Sequence, residues 1–197
     1  CAGILAREVP RIALVGRSTE RLETVRKRLE TVSHCDVTLH TDVEEGLRDA
    51  DVVVTVSSAS EALVQPHHLK RGAVVCDVAR PRDVSVRVAR ERNDVLVIEG
   101  GVVRVPGEMR CVKIGTDQPF SFGFPPGTAY ACMSETMALV LEGRYESFTL
   151  GKEVTIQQVD EISEICARHG FELSGFRSFE RAVTDAEIER IRTNAGR

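Results

Sequence analysis

No glycine-rich G-x-G-x-x-G turn occurs anywhere in the 197 residues. Such a turn brings the backbone close to a pyrophosphate where a helix opens, so the most direct signature of dinucleotide binding is missing. Cysteine pairs of the C-x-x-C kind are absent too. The six cysteines (Cys1, Cys35, Cys76, Cys111, Cys132, Cys166) are scattered, His67-His68 is adjacent rather than helix-spaced, and His34, His40 and His169 lie far apart. That pattern speaks against structural zinc and against a disulfide scaffold, and it suits a reducing cytoplasm. No apolar run approaches membrane-spanning length, and the opening residues carry no signal-peptide pattern. The net charge of -4 exerts no pull toward nucleic acid or an anionic membrane. Repeats and low-complexity tracts are also lacking.

What is present is an alternation of apolar runs and amphipathic segments. With 42% apolar residues the chain can bury the core of one domain or slightly more. Residues 1–8 read as the tail of a helix, so the chain is expected to be a piece that lacks an amino-terminal part. Arg11-Ile12-Ala13-Leu14-Val15-Gly16 reads as a parallel strand buried on both faces. Ser18 or Thr19 caps the next helix, in which Leu22, Val25 and Leu29 face inward among charged residues. Further strands are expected over 37–39, 50–56, 72–77 and 94–99, with a helix over 43–47. Strands alternating with helices and short loops predict a parallel α/β sheet. Residues 108–122 read as loop or short strands. Helices follow over 154–169, stopped by Gly170, and over 183–192.

In a sheet of this kind ligands sit at the carboxyl ends of the strands. Arg17, Ser18, Thr19 and Arg21 follow the first strand, where a carboxylate would bind a ribose 2′-OH. An arginine with small hydroxyls suits a 2′-phosphate instead, which favours NADP. Ser57 and Ser58 follow the 50–56 strand, and Gly100 and Gly101 the 94–99 strand; both pairs allow a dinucleotide close to the backbone, and both also fit an ordinary loop or turn. In the usual strand order the missing first strand would lie between those of 11–16 and 50–56, leaving a gap in the sheet. A chain with that gap is expected to bind dinucleotide poorly. The arginines at 80, 82, 87, 90 and 92 read as a solvated helix face, with a docking patch for an acidic partner as the minority alternative.

The stretch 124–135 carries the candidate chemistry. Two prolines and Gly127 end what precedes, Thr128 is the expected N-cap, and a helix should run through Met133, Met137 and Leu141 to stop near Gly143. Cys132 then lies about one turn into that helix, where N–H groups and the macrodipole favour a thiolate nucleophile. Glu135, three residues on, is expected on the same face and, when protonated, could donate to a leaving group. The alternative is that Cys132 is a small buried apolar residue.

Several segments, in order from Arg11 to about Phe171, resemble the long-chain acyl-[acyl-carrier-protein] reductases that form fatty aldehydes. They are Ala13-Leu14-Val15-Gly16-Arg17 with Glu20-Arg21-Leu22, Ala50-Asp51-Val52-Val53-Val54 and Gly100-Gly101-Val102-Val103. The most specific are Ala131-Cys132-Met133-Ser134-Glu135-Thr136-Met137, with Leu141-Glu142-Gly143 beyond it, and Arg168-His169-Gly170-Phe171. The earlier pieces also resemble shikimate dehydrogenases and glutamyl-tRNA reductases. The chain departs from the reductase pattern in lacking the glycine-rich loop, in Arg104-Val105-Pro106-Gly107, and in a longer tail after Phe171.

The resemblance implies a Rossmann-type parallel sheet without its first strand and glycine-rich loop, spanning 1–103, and a helical C-terminal segment spanning 104–197. It implies NADPH as cofactor and Cys132 as the residue that accepts an acyl group from acyl carrier protein or acyl-CoA. The bound thioester is then reduced to a fatty aldehyde for a downstream aldehyde-consuming enzyme. Phe120, Phe122, Phe124 and Tyr130 could line a dry acyl channel, with core packing as the alternative for half of them. As this piece alone, the chain is expected to be inactive. The alternatives are another NADP-dependent dehydrogenase, with Cys132 merely packed, and a non-catalytic nucleotide-binding module.

Overall fold

Order along the chain follows from local chemistry at the element ends. The computed structural model describes residues 1–100, 102–108, 112–117, 125–151 and 154–196. They form α1 (Ala2–Leu5), β1 (Arg11–Val15), α2 (Thr19–Glu30), β2 (Asp36–His40), α3 (Val43–Leu47), β3 (Val52–Thr55), β4 (Val74–Asp77), α4 (Val86–Glu91), β5 (Leu96–Glu99) and β6 (Val102–Arg104). Then come β7 (Thr128–Tyr130), α5 (Ala131–Leu141), α6 (Ile156–His169), β8 (Glu172–Leu173), β9 (Arg177–Ser178), β10 (Arg181–Ala182) and α7 (Asp185–Ala195). Ser18 caps α2 by accepting the Arg21 N–H, and Thr155 with Gln158 forms a reciprocal capping box on α6. Gly170 closes α6 in the left-handed region (φ 82°), which a side chain would resist.

Two compact units result: Cys1–Gly100 with Phe176–Arg197, and Gly101–Gly175. This division differs from the expected 1–103 and 104–197, because the last hairpin and helix belong with the first unit. β9 pairs antiparallel with β5 (Glu99 opposite Arg177), so residues far along the chain extend the sheet's edge. Arg71 also donates to the Asn194 carbonyl beyond it.

In the first unit β3, β4 and β5 are parallel and in register, and the sheet order is β10-β9-β5-β4-β3. β1 and β2 form a separate parallel pair. Among the described residues neither β1 nor β2 is hydrogen-bonded to β3. β1 is therefore not buried on both faces as its sequence predicts. Its residues alternate between exposed and half-buried, because it has a neighbour on one side only. The core lies under β3–β5, where Val53, Val64, Val75, Val84, Val88 and Val97 pack together. This is a Rossmann-like α/β arrangement.

In the second unit β6 lies between β7 and β8, both antiparallel to it. Ala138 and Leu139 of α5 and Ile165 of α6 make a small core with Val105 and Phe171. The 108–122 segment is turn rather than helix where it is described. Among the described residues no helix is long and apolar enough to cross a membrane.

Candidate functional site

At the carboxyl end of β1, Arg17 and Arg21 are exposed and have no acidic partner among the described residues. Between them Ser18 opens α2, a helix of twelve residues whose N-terminal N–H groups point the same way as its positive dipole end. Two exposed guanidinium groups beside a helix N-terminus are chemically suited to an anion such as a phosphate. Gly16 is held by packing, since a Cβ there would lie 3.2 Å from Leu22 Cδ2.

The β3 and β4 ends are organised by two buried carboxylates that the sequence reading missed. Asp77 accepts hydrogen bonds from Thr55 Oγ1 (2.9 Å) and the backbone N–H groups of Ala79 (3.1 Å) and Val84 (3.0 Å). Asp83 accepts from the Ser57 N–H (2.9 Å) and from its hydroxyl. Ser57, expected to face a cofactor, thus spends both donors on Asp83, and its oxygen accepts the Ala59 N–H (3.0 Å). It shapes the loop, and exposed Ser58 is left on the outside. The available signal was an aspartate ending a strand, with a second six residues later; nothing local tied either one to Ser57.

Gly100 lies where a Cβ would meet Val78 Cγ2 at 3.3 Å, so close packing by itself accounts for the glycine. Gly101 lies outside the described residues, as do Phe120, Phe122, Phe124 and Cys111. The expected solvated arginine face is largely paired instead. Arg82 bridges Glu99 (2.8 Å) and Glu180 (2.7 Å), while Arg92 holds Asp94 (2.8 Å) and the carbonyls of Pro66 and Leu69. α4 has only six residues, too short to carry all five arginines.

Glu44, His67 and His68 bring potential metal-ligand atoms within 4.8 Å of one another. The backbone N–H of Gln65, however, donates to His68 Nδ1 (3.2 Å), which places the proton of a neutral ring on Nε2. Burial, and then His67 beside it, pushes the His68 imidazole below its ordinary value. Its Nε2 is a donor rather than a ligand, and Arg48 and Lys70 line the same small hollow. The chemistry does not suit a cation.

The second unit holds the cysteine. Residues 128–130 pair with β6 (Val102 opposite Tyr130, Val103 opposite Ala129, Arg104 opposite Thr128), which keeps the chain extended for two residues beyond the expected helix start. Thr128 is therefore not the cap; its hydroxyl donates to the Pro125 carbonyl (2.6 Å). Tyr130 takes the N-cap position, with no side-chain cap bond. Cys132 becomes the second residue of α5, nearer the helix end than expected, and its thiol is exposed rather than packed. The first-turn N–H groups of α5 thus lack the capping that Ser18, Thr155 and Thr184 supply elsewhere.

Beside Cys132 opens an apolar cleft of about 630 Å³, within the range of small-molecule sites. Its walls include Met133, Met137 and Val140 of α5, with Val105 and Phe171 opposite. Glu135 does not line it. The carboxylate accepts from Thr149 Oγ1 (3.0 Å) and lies near Cys166, whose thiol is pushed up by burial and then by that charge. Cys132 and Glu135 therefore occupy adjoining faces of α5. Tyr130 is partly exposed and is likewise not part of the cleft wall.

The family model of shikimate/quinate 5-dehydrogenases matches residues 1–99, half of the chain. The chain belongs to this family. Two curated proteins are also similar. One is the aminotransferase PigE of Serratia sp., 34% identical over 141 residues, which are 68% of this chain and 15% of that protein. The other is the long-chain acyl-[acyl-carrier-protein] reductase of Synechococcus elongatus, 28% identical over 165 residues, 82% of this chain and 45% of that protein. The chain thus spans less than half the length of either. The family match thus gives residues 1–99 a dehydrogenase-like domain, while one relative is a reductase and the other an aminotransferase.

Proposed function

We propose that the chain belongs to an NADPH-dependent reductase that converts a fatty acyl thioester to an aldehyde through an acyl group held on Cys132. The observation that carries this reading is an exposed thiol on the uncapped first turn of α5, at the mouth of an apolar cleft. The similarity to a long-chain acyl-[acyl-carrier-protein] reductase supports it.

In this reading the Cys132 thiolate attacks the thioester carbonyl of acyl carrier protein or acyl-CoA. The donor's thiolate leaves, so one thioester replaces another at little thermodynamic cost. N–H groups of the first turn of α5 stabilise the tetrahedral oxyanion. Arg17 and Arg21, with the N-terminus of α2, hold the 2′-phosphate that selects NADP over NAD. When bound, NADPH supplies the hydride for the acyl carbon. Collapse then expels the Cys132 sulfur and frees the aldehyde. An acyl chain filling the cleft would limit the access of water to the thioester, which would otherwise hydrolyse. Glu135, on the adjoining face, is proposed to donate to the departing thiolate only when it is protonated and released from Thr149. An aldehyde-consuming enzyme is the expected downstream partner.

A second reading rests on the family match covering residues 1–99 alone: another NADP-dependent dehydrogenase, in which Cys132 takes no part. Incubation with a fatty acyl-CoA followed by intact-mass measurement separates the two. The first reading expects a covalent acyl adduct that disappears in Cys132→Ala. Cofactor binding without any adduct would reject it in favour of the second.

A further inference from the structure

The cleft beside Cys132 has a direction as well as a volume. Cys132 stands at the start of α5 and Leu141 at its end, and between them Thr136, Met137 and Val140 succeed one another on the cleft side. The opposite side of the helix is taken, by Ile165 against Ala138 and Leu139 and by His169 and Arg168 against Glu142. Nine residues of helical rise make the cleft face about 13 Å long, roughly the reach of a ten-carbon extended chain. Val140 and Leu141, at its far end, are 51% and 55% exposed, so the cleft opens to solvent there.

The lining also selects the occupant. Apart from the thiol, the side-chain polar group on the cleft wall is the Thr136 hydroxyl, which already donates to the Cys132 carbonyl (3.3 Å). A peptide laid along this wall would leave its own N–H and C=O groups without partners, at a cost an alkyl chain does not incur.

Building on the reading of Cys132 as acyl acceptor, we propose that the cleft face of α5 gauges acyl length, with Val140 and Leu141 marking where the alkyl tail leaves the protein. Methylenes up to about the tenth carbon are buried, each improving capture about fourfold. Carbons beyond Leu141 return to water and add nothing.

The test follows the rate of adduct formation by intact-mass spectrometry, using saturated acyl-CoA esters from about four to about sixteen carbons. The expected profile climbs and then levels near ten carbons. Val140→Trp, whose ring would lean back over the preceding turn, should move the break about four carbons shorter. Leu141→Trp is the second variant, also at an exposed position that tolerates bulk, and should shift the break in the same direction. A climb unbroken to the longest ester, a flat profile, or a break that neither variant moves would overturn the gauge while leaving Cys132 as the acceptor. No adduct at any length, from protein with a native circular dichroism spectrum, would overturn the acceptor reading itself.

Discussion

Ser57 and Asp83 are twenty-six residues apart, yet the serine gives both its N–H and its hydroxyl to that one carboxylate, which is 1% exposed. This pair anchors the loop after β3 to the loop after β4 at the sheet edge where a dinucleotide would run. Two donors satisfied by one buried acceptor are expensive to orphan. Asp83→Ala should therefore cost about 2–4 kcal/mol in urea unfolding. It should also accelerate hydrogen exchange at Ser57 well before global unfolding. A loss under about 0.5 kcal/mol would show that water replaces the carboxylate without penalty.

Arg17 decides between the two nicotinamide dinucleotides if the 2′-phosphate lies at the end of β1. Arg17→Asp should weaken NADPH binding on the order of ten- to a hundredfold and leave NADH little changed, read by fluorescence titration. Equal losses for both nucleotides would reject the phosphate contact.

Acid stability of the first unit should depend on Asp94. The hydrogen bonds from Arg92, opposed by partial burial, hold its carboxyl below the usual range. A carboxylate with a depressed folded value stabilises above its unfolded value, about 3.9, and that stabilisation is lost as pH falls through the lower folded value. Urea midpoints measured from neutral pH down to below pH 4 should fall at the acid end, and Asp94→Asn should flatten that fall. An unchanged acid limb in the variant would assign the fall to other carboxylates.

The turn joining β9 to β10 places Phe179 and Glu180 at φ 47° and 69°, a region that side chains resist. Left-handed backbone costs a non-glycine residue about 1–2 kcal/mol, whereas the exposed Arg82–Glu180 pair returns about 0–1. The backbone term is the larger. Glu180→Gly should accordingly raise stability, by about 0.5–1 kcal/mol on thermal unfolding. A net loss would mean that Arg82, which also holds Glu99 and lies over the Phe179 ring, depends on Glu180 for its placement.

Much of the chain was readable without coordinates because its signals are local. Ser18 caps α2 through a residue three positions on, Gly170 ends α6 by its own backbone freedom, and the apolar runs at 52–55, 74–77 and 96–99 become parallel strands. Thr128 shows where that reading fails: a good capping residue followed by a helical pattern, held extended by β6 from more than twenty residues earlier. Glu135 fails similarly. Spacing put it beside Cys132, but its carboxylate is engaged by Thr149, fourteen residues on.

Periodicity, caps and breakers thus determined the elements and their sequence, since each depends on neighbours within a helical turn or one strand. Only tertiary structure decided that Cys132 is exposed at the mouth of an apolar cleft, that Ser57 is tied to Asp83, and that residues 177–182 return to the edge of β5. Those outcomes depend on pairings between distant segments, settled by which polar groups find partners and which apolar faces find cover once the chain has closed on itself.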